Sequence, residues 1–386
     1  MPARRDNVLI WGVELIEEAT VEQAERTARL PFVRAPLALM PDAHVGIGAT
    51  VGSVAFMEGA IVPAAVGVDI GCGMIAALTN LCSHELPDDL GPLLSLIEQR
   101  VPAGLGVAHL EAQTDVMESV GMPASEIGPR DAGKVRQQFG TLGSGNHFLE
   151  LCLDEAQRVW LVLHSGSRGI GKILAERHIA EARSTMIRYF VELEDPNLAY
   201  VVEGTREFDS YVADMLWAQR YAAANRDKMM SAALRSLTEV TSDATVEVER
   251  INCHHNFAAR ERQGGRDGWV VRKGAIRARK GDRGVIPGSM GTASYIVTGL
   301  GNAASYCSCS HGAGRRLSRT AARRELTPDS LGIAMQGRTW QSEAATALVD
   351  EHPLAYKDVK AVMDAQADLV RIDHELTQVL NYKGTR

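Results

Sequence analysis

A carboxylate and a thiol lie three residues apart in one glycine-rich stretch, residues 66–74 (Val-Gly-Val-Asp-Ile-Gly-Cys-Gly-Met). Glycine allows the backbone to turn sharply, so Asp69 and Cys72 can point at the same place. A carboxylate beside a thiol is typical of a metal site, whereas a free cysteine by itself is usually a core residue. The stretch alone leaves both interpretations open: a metal site, or a tight turn with a buried thiol.

Three histidines further along the chain share one kind of sequence context. His147, His164 and His255 each follow an apolar strand pattern or lie in a loop of small residues. Loops held by a rigid scaffold commonly carry ligands. Together with Asp69 and Cys72 they form a cluster of Cys, His and Asp, which indicates a metal site. By ligand type alone, thiolate and imidazole favour zinc.

These five ligands exceed what a single four-coordinate ion needs. A thiolate can bridge, so two ions that share Cys72 are the economical arrangement. Two ions a few ångströms apart can hold both the attacking and the leaving oxygen of a phosphoryl transfer. The ligand set therefore predicts phosphate chemistry.

His311 is a candidate for a covalent nucleophile. It lies in a small-residue loop, residues 310–315 (Ser-His-Gly-Ala-Gly-Arg), which leaves room for a bulky group beside the imidazole. Histidine can act as a nucleophile and arginine binds phosphate well, so Arg315 fits the same chemistry. A surface histidine that caps a helix is the alternative, and the loop alone leaves both open.

The segment 166–172 (Gly-Ser-Arg-Gly-Ile-Gly-Lys) nearly matches a P-loop. Ile173 stands where that pattern needs a hydroxyl for Mg²⁺, which argues against a true P-loop. The loop amides and Arg168 can still bind a phosphate, because exposed N–H groups at the start of a helix attract anions.

Strands must bring these loops together. The apolar run 159–163 is typical of a buried strand and places His164 at its end. The pattern over residues 245–251 predicts another strand, which leads to His255. Between and after these strands the sequence predicts helices over residues 172–190, 209–237 and 354–369.

Two other segments are harder to interpret. Asp42 and His44 could be ligands, but we interpret them as residues that fix a turn, because Asp favours turns. Residues 101–133 are rich in Gly, Pro and Ala and carry mixed charges, so we predict a mobile connection or lid there.

The composition limits the classes of partner. The chain has 386 residues, 45% hydrophobic residues and a net charge of −7, so a nucleic-acid partner would have to use a local basic patch. Residues 260–283 hold nine Lys or Arg against three acids, and five arginines lie between Arg315 and Arg324 without an intervening acid. Both runs suit phosphate contacts, although for either run alone a solvated face is the favoured interpretation.

The cysteines and the apolar runs indicate the compartment. The six cysteines form no C-x-x-C pair, the N-terminal residues lack the apolar core of a signal peptide, and no apolar run is long enough to span a bilayer. We therefore predict a cytoplasmic protein with reduced thiols and no membrane partner.

Taken together, these motifs resemble the RtcB family of RNA ligases over almost the whole chain, from Trp11 to Gly384. The resemblance is specific because many glycine-anchored motifs occur in one order: residues 40–44, 66–74, 143–150, 164–169, 253–256, 272–275, 287–295 and 310–315. The near match to a P-loop belongs to the motif that begins at His164.

The resemblance implies an α/β (α+β) fold: one large domain over residues 1–386, with packed β-sheets around a dinuclear metal site and flanking helices. The family joins RNA that ends in a 3′-phosphate or a 2′,3′-cyclic phosphate to RNA with a 5′-hydroxyl, in RNA repair or tRNA splicing, and it uses GTP and two Mn²⁺ ions. Manganese replaces the zinc that ligand type favoured, because chemical role and metal supply also select the ion. The resemblance allows an archease-type activator, and we expect a monomer.

The resemblance also assigns the metal ligands. It implies that Asp69, Cys72 and His147 hold one ion. It implies that Cys72, His164 and His255 hold the other.

The same resemblance makes His311 the residue that carries GMP. From their positions in the loops we predict Arg168 and Arg315 as further catalytic residues. The residues that it implies for binding GTP or GMP are Asn146, His147, Phe148, Leu149, Glu150, His255, Asn256, Pro287, Gly288, Ser289, Met290, Ser294, His311, Gly312, Ala313, Gly314 and Lys383.

Two other functions stay open. A metal-dependent RNA-end phosphatase or cyclic phosphodiesterase would use the same ions without a nucleotide. An RNA-binding module with a structural metal would catalyse nothing.

Overall fold

The structure of the protein, a computed structural model, describes residues 2–241 and 244–385. Residues 1, 242, 243 and 386 of the predicted domain lie outside the described residues. The strands of the described ranges are β1 (Ala3–Arg5), β2 (Val8–Ile10), β3 (Val33–His44), β4 (Val51–Met57), β5 (Ala60–Ile61), β6 (Gly73–Cys82), β7 (Phe148–Leu153), β8 (Arg158–Ser165), β9 (Val201–Val202), β10 (Glu247–His254), β11 (Asn256–Gln263), β12 (Arg266–Lys273), β13 (Ala275–Arg277), β14 (Arg283–Ile286), β15 (Ser294–Gly299), β16 (Ser308–Ser310), β17 (Thr339–Trp340) and β18 (Val370–Lys383). The α-helices are α1 (Glu18–Ala28), α2 (Pro63–Val66), α3 (Gly91–Arg100), α4 (Asp115–Ser119), α5 (Pro129–Gln137), α6 (Arg168–Arg188), α7 (Arg206–Val240), α8 (Arg319–Glu325), α9 (Pro328–Ala334), α10 (Ala345–Leu348) and α11 (Val359–Asp364).

Two large sheets contain most of these strands. One runs in the order β1-β2-β3-β4-β12-β11, with β2 and β3 parallel and the other pairs antiparallel. The other runs in the order β10-β6-β8-β7-β18-β15-β14, and β17 pairs in parallel with β18. This combination of sheets and helices confirms the predicted mixed α/β class.

The larger sheet curls until its edge strands β10 and β14 lie against each other. Side chains alternate across a strand, so β6 sends Met74 and Ala76 to the inside of this curl and Ile75 and Ala77 to the outside. Both sets are buried, the outer one beneath helices α3 and α7. Burial on both faces explains why the strands read as continuous apolar runs rather than alternating ones.

Helix α7 is a long helix that packs against the larger sheet. Thr205 caps it by accepting a hydrogen bond from the Phe208 amide at 3.3 Å. Tyr211, Met215 and Ala218 recur at intervals of four and three residues and are fully buried, so they form one apolar face. That face lies in one core cluster with residues of α6, whereas Met229 and Ala233 further along the helix pack against the larger sheet. Burial of each large side chain contributes about 1.5–3 kcal/mol.

Most of the predicted elements that lead to the site are confirmed. The strand predicted over residues 159–163 is β8, and the helices predicted over 172–190 and 209–237 are α6 and α7. The helix predicted over 354–369 is wrong, because only α11 (Val359–Asp364) forms there. Tyr356 instead makes an extended bridge with Arg315, and the Asp358 side chain starts α11 by accepting from the Lys360 amide.

Residues 101–133 pack against α7. The Ser125 amide donates to Asp214 at 2.9 Å, and the Trp217 indole donates to the Gly121 carbonyl at 3.2 Å. Val116 of α4 is fully buried. These contacts favour a docked segment over the predicted lid. Among the described residues, no helix combines the length and the apolar character needed to cross a membrane.

Candidate active site

Four neighbouring strands deliver the predicted metal ligands to one end of the larger sheet. The strand order β10-β6-β8-β7 and the antiparallel register put the start of β6 opposite the ends of β8 and β10. Cys72 directly precedes β6, His164 lies near the end of β8, and His255 directly follows β10. His147 precedes β7, whose first residue pairs with His164. The sheet register therefore brings residues that are far apart in sequence to one place.

The five predicted ligands form one contiguous chain of side chains. The Cys72 Sγ lies 3.4 Å from the His147 Nε2 and 3.3 Å from the His164 Nε2. The Asp69 Oδ2 lies 3.2 Å from the His147 Nε2, and the Nε2 atoms of His164 and His255 lie 2.8 Å apart. The donor atoms of Cys72, His147 and His164 thus form one compact group, which Asp69 and His255 extend at its two ends.

Each histidine is oriented by its other ring nitrogen. In every case Nδ1 lies within hydrogen-bonding distance of a protein oxygen: the Leu142 carbonyl for His147 at 2.8 Å, the Asn146 carbonyl for His164 at 3.1 Å and the Asn256 Oδ1 for His255 at 3.1 Å. An oxygen of this type can only accept, so Nδ1 carries a proton, and in the neutral ring Nε2 presents a lone pair to the centre. Such outer contacts fix the tautomer and the ring orientation of metal-binding histidines.

The centre fits a cation. Burial, with the neighbouring imidazoles, lowers the pKa of His164 and of His255 well below the usual value, so both rings are neutral. Their Nε2 lone pairs then face each other at 2.8 Å, an arrangement that a cation between them would stabilise. The donor set of thiolate, imidazole and carboxylate supports the same conclusion.

The two acidic groups differ in the free protein. Burial and the charge of Asp69 raise the pKa of the Cys72 thiol well above its usual value. Desolvation would raise the pKa of Asp69 too, but the hydrogen bond and charge of His147 and the charge of Arg168 lower it to about 2. Asp69 is therefore ionised, whereas Cys72 keeps its proton in the free protein. A metal ion bound to the sulfur would displace that proton.

His311 lies between this cluster and a buried carboxylate. Its ring centroid is 4.7 Å from that of His255, and its Nδ1 lies 2.6 Å from the Asp42 Oδ2. The same carboxylate oxygen accepts from the amides of His311 and Gly312 at 3.0 and 3.3 Å. Burial would raise the pKa of Asp42, but the charges of His311 and Lys357 outweigh it and hold the pKa below its usual value.

The interpretation of Asp42 and His44 as turn residues is wrong. Both lie in β3, whose hydrogen bonds to its neighbours override the turn preference of Asp. Gly314 makes the approach to this strand possible: its φ is +73°, and a Cβ there would lie 2.2 Å from the Asp42 carbonyl oxygen. The functional residue Asp42 could have been found from the motif at residues 40–44, but not from its turn preference.

A cavity of about 350 Å³ opens beside His311 and the cluster. The predicted site residues that line it are Asp69, Asn146, Phe148, Glu150, His164, His255, Asn256, Pro287, Gly288, Ser289, Met290, His311, Gly312, Ala313, Gly314, Arg315 and Lys383. None of residues 101–133, all of which the structure describes, is among the lining residues. Convergent polar groups on a concave surface of this size are typical of a nucleotide-sized ligand site.

Five predicted residues lie outside that lining. Cys72 and His147 sit beneath it in the cluster. Leu149 is fully buried in the core under α3 and α7, and Ser294 is 1% exposed. Arg168, which starts α6 at a φ of +61°, donates to the Thr141 hydroxyl at 3.1 Å and packs on the loop at Gly143 rather than in the cavity.

The near P-loop holds a carboxylate instead of a phosphate. The amide of Ser167 donates to the Asp69 Oδ1 at 3.1 Å. Gly166 allows this approach, because a Cβ there would lie 2.2 Å from the same oxygen. Lys172 is exposed and faces Glu176 at 3.7 Å. The loop therefore positions Asp69, one of the predicted metal ligands.

Several lining residues were missed by the sequence reasoning. Lys273 donates from Nζ to the carbonyls of Ile47, Ala49 and Ala64 at 2.7, 2.8 and 3.0 Å, and burial lowers its pKa to about 7. Glu351 is 3% exposed and pairs with Lys383 at 2.9 Å. Lys273 stands in the motif of residues 272–275, whereas no sequence pattern distinguishes Glu351.

Several arginines of the two basic runs form ion pairs with buried carboxylates. In the second run, Arg319 and Arg323 pair with Asp350 at 2.7 and 3.0 Å. In the first run, Arg272 and Arg279 pair with Glu261 at 2.7 and 3.0 Å. Contacts between these two runs and RNA phosphates stay a prediction. The four paired arginines already form ion pairs within the protein.

The buried carboxyl group of Glu150 should make the stability of the free protein depend on pH. Burial raises its pKa from 4.5 to about 8, although Lys383 and a 2.7 Å hydrogen bond from Asn381 oppose the shift. The folded state thus binds a proton that the unfolded state releases, so stability is lost as the pH rises from about 4.5 to 8. Glu150→Gln should remove this slope, which amounts to a few kcal/mol at about 1.4 kcal/mol per pKa unit. Urea unfolding at several pH values, with exposed Glu155→Gln as the control, measures it; an unchanged slope contradicts the assignment.

Fold and cavity together define the class: a mixed α/β protein whose larger sheet holds a thiolate and imidazole cluster, consistent with metal binding, beneath a cavity of nucleotide size. The chain matches the family model described as "tRNA-splicing ligase RtcB" over residues 23–126 and 107–384. It is 43% identical to the RNA-splicing ligase RtcB of Escherichia coli (strain K12), with 98% of this chain and 97% of the relative covered. It is 32% identical to the tRNA-splicing ligase RtcB of Methanococcus maripaludis (91% and 88% covered) and 30% identical to the RNA-splicing ligase RtcB of Mycobacterium tuberculosis (90% and 97% covered). The chain therefore belongs to the RtcB family.

Proposed function

We propose that this protein is an RNA ligase that joins an RNA 3′-phosphate or 2′,3′-cyclic phosphate end to a 5′-hydroxyl end, with GTP as the energy source. The observation that carries the proposal is the position of His311 at the boundary between the cavity and the thiolate–imidazole cluster, 4.7 Å from His255 between ring centroids. Family membership supports the ligase class. The Mn²⁺ ions, the exact RNA ends, a monomeric state, the single domain of residues 1–386, an archease-type activator and a cytoplasmic location are parts of the same proposal.

In the proposed first step His311 attacks GTP. With Nδ1 held at Asp42, Nε2 is the nitrogen free to attack the α-phosphorus. A P–N bond forms, the bond from the α-phosphorus to its bridging oxygen breaks, and pyrophosphate leaves. The negative charge of Asp42 stabilises the positive charge that develops on the imidazole.

The proposed metal ligands are Asp69, Cys72 and His147 for one Mn²⁺ ion and Cys72, His164 and His255 for the other. When bound, the ions would supply charge neutralisation at the phosphates. Cys72, between the Nε2 atoms of His147 and His164, supports the bridging role.

Two further steps complete the proposed reaction. The RNA 3′-phosphate attacks the phosphorus of GMP-histidine, so the P–N bond breaks and an activated 3′ end forms. The 5′-hydroxyl then attacks the RNA 3′-phosphorus, a phosphodiester forms and GMP leaves. A cyclic phosphate must first be opened by water to give the 3′-phosphate. Arg315 lines the cavity and is the arginine that we assign to phosphate binding, while Arg168 supports the cluster through Asp69.

The nucleotide would occupy the cavity. Phe148 offers an aromatic face, while Glu150 and Lys383 offer an acceptor and a donor that suit guanine edges. The backbone of the 287–290 loop, the Asn146 and Asn256 side chains and the 312–314 loop supply further polar contacts. Leu149 and Ser294 are buried and are not among the residues that line the cavity, so we assign them only a supporting part in nucleotide binding.

Asp42→Asn should slow formation of the GMP adduct by roughly 100-fold or more, because the neutral amide neither orients Nδ1 nor stabilises charge on the ring. The measurement is the single-turnover rate of label transfer from GTP to protein. Asp214→Asn is the matched control, since Asp214 makes a buried 2.8 Å contact with His178 outside the cavity. A wild-type rate in Asp42→Asn would remove Asp42 from the mechanism.

Radiolabelled GTP mixed with protein and Mn²⁺ separates the candidate functions. A ligase of this type retains label after denaturation and releases it to RNA with a 3′-phosphate. A phosphatase removes the 3′-phosphate without nucleotide, a cyclic phosphodiesterase opens the cyclic phosphate without nucleotide, and neither keeps label on the protein. A binding module does neither.

A further inference from the structure

Helix α7 carries two consecutive polar residues that its packing does not explain. Asn225 and Arg226 are both fully buried. No residue of α7 is among those that line the cavity. Burial of a guanidinium is costly unless strong partners compensate, so a specific role is expected for this pair.

The Arg226 side chain is committed to the segments that carry metal ligands. Its Nη1 donates to the carbonyls of Gly71 and Ser165 at 2.8 and 3.0 Å. Gly71 directly precedes Cys72, and Ser165 directly follows His164. The arginine therefore ties together the backbones beside two of the proposed ligands.

The other end of the same guanidinium reaches the third segment. Its Nη2 lies 3.2 Å from the His254 Nδ1, and its Nε donates to the Asn252 Oδ1 at 2.8 Å. His254 directly precedes His255. Among the described residues no carboxylate pairs with Arg226, in contrast to the buried Arg272, which pairs with Glu261 at 2.7 Å.

Asn225 holds the remaining loop. Its Oδ1 accepts from the Gly140 amide at 2.7 Å, and its Nδ2 donates to the carbonyls of Thr141 and Gly166 at 3.3 and 3.4 Å. The next residue of that loop, Leu142, supplies the carbonyl that orients His147. One side chain thus fixes both the support of His147 and the loop after His164.

We propose that Asn225 and Arg226 form a positioning clamp, which sets the spacing of the proposed cysteine and histidine ligands. The clamp acts from α7, which does not line the cavity. The inference rests on the proposed metal site and deepens it. The two residues contact the segments next to four strands, β6, β7, β8 and β10. The clamp therefore fixes the positions of these segments, and of the ligands they carry, relative to one another. Its loss would loosen the site without removing any ligand.

Arg226→Lys tests the clamp. Lysine keeps the charge but lacks the planar fork, so it cannot serve Gly71, Ser165 and Asn252 together. We expect Mn²⁺ affinity to fall by about 10- to 100-fold, as for other outer contacts of metal sites. The measurement is titration with Mn²⁺, with the free ion followed by electron paramagnetic resonance, alongside the absorption bands of Co²⁺ bound in place of Mn²⁺.

Arg272→Lys is the matched control, because Arg272 is also fully buried but its hydrogen bonds go to Glu261, Tyr306 and Ser308 rather than to residues beside the proposed ligands. It should lower the unfolding midpoint and leave Mn²⁺ affinity and the Co²⁺ bands unchanged. Equal loss of Mn²⁺ affinity in both variants, or wild-type affinity in Arg226→Lys, overturns the clamp.

If Arg226→Lys does not fold, Asn225→Ala decides in the same way: it should weaken Mn²⁺ binding, and wild-type affinity in that variant overturns the clamp. Failure of the wild-type protein to bind Mn²⁺ would contradict the proposed metal site itself, which keeps the two failures distinguishable.

Discussion

Cys72→Ala is expected to lose most of its bound metal and all detectable GMP transfer. The Sγ lies 3.3–3.4 Å from two imidazole nitrogens, so a bridging thiolate would be shared by both ions, and its removal takes one ligand from each. One substitution should therefore weaken the binding of both ions, whereas loss of a ligand that contacts a single ion should weaken the binding of that ion alone. Metal analysis of protein dialysed against Mn²⁺, together with label transfer from GTP, measures the two effects on one sample.

Cys152→Ala is the matched control for this substitution. Cys152 is as buried as Cys72, yet it lies inside the curled sheet, away from the cluster. It should bind metal with wild-type stoichiometry, although its stability can fall. Full metal occupancy in Cys72→Ala would contradict the bridging role.

His311→Ala is expected to lose the covalent adduct and the joining of RNA 3′-phosphate ends. The ligand cluster does not include this imidazole, so metal binding should persist. Ligation of RNA whose 3′ end already carries GMP should also persist, because those ends bypass the first step.

Two measurements test this set of expectations. Gel assays with 3′-phosphate RNA and with pre-activated RNA separate the steps in His311→Ala. His374→Ala, which alters a partly exposed histidine paired with Glu155, should ligate both substrates. Ligation of 3′-phosphate ends by His311→Ala at the wild-type rate would refute the nucleophile assignment.

The five metal-ligand candidates could be predicted from sequence because their residue types are unusual for packing. Asp69 and Cys72 lie between glycines, and the histidines follow strands or small-residue loops, so local context already indicated function. What local context could not provide was proximity. The register of β6, β7, β8 and β10 creates it, and no pattern within one strand encodes which strands are neighbours.

Other features depended on long-range contacts and were therefore missed. Asp42 favours turns in isolation, but the pairing of β3 makes it part of a strand whose carboxylate meets His311. The helix predicted over residues 354–369 fails because Tyr356 bridges to Arg315. The Asn225–Arg226 pair lies in a helix pattern that predicted only packing.

A lysine amine is the alternative to a histidine as the nucleophile that carries GMP. Lys273 lines the cavity and burial lowers its pKa to about 7, which by itself would favour a nucleophilic amine. Its Nζ, however, donates to three backbone carbonyls, which takes all three protons of the ammonium form and leaves no lone pair for attack. The geometry therefore favours His311.

Peptide mapping by mass spectrometry tests this central claim most directly. Protein incubated with GTP and Mn²⁺ should carry one GMP-sized addition, on the peptide that contains His311. The addition should be lost in acid and retained in base, as a P–N bond to imidazole requires. An addition on Lys273 or Lys172 instead would contradict the account.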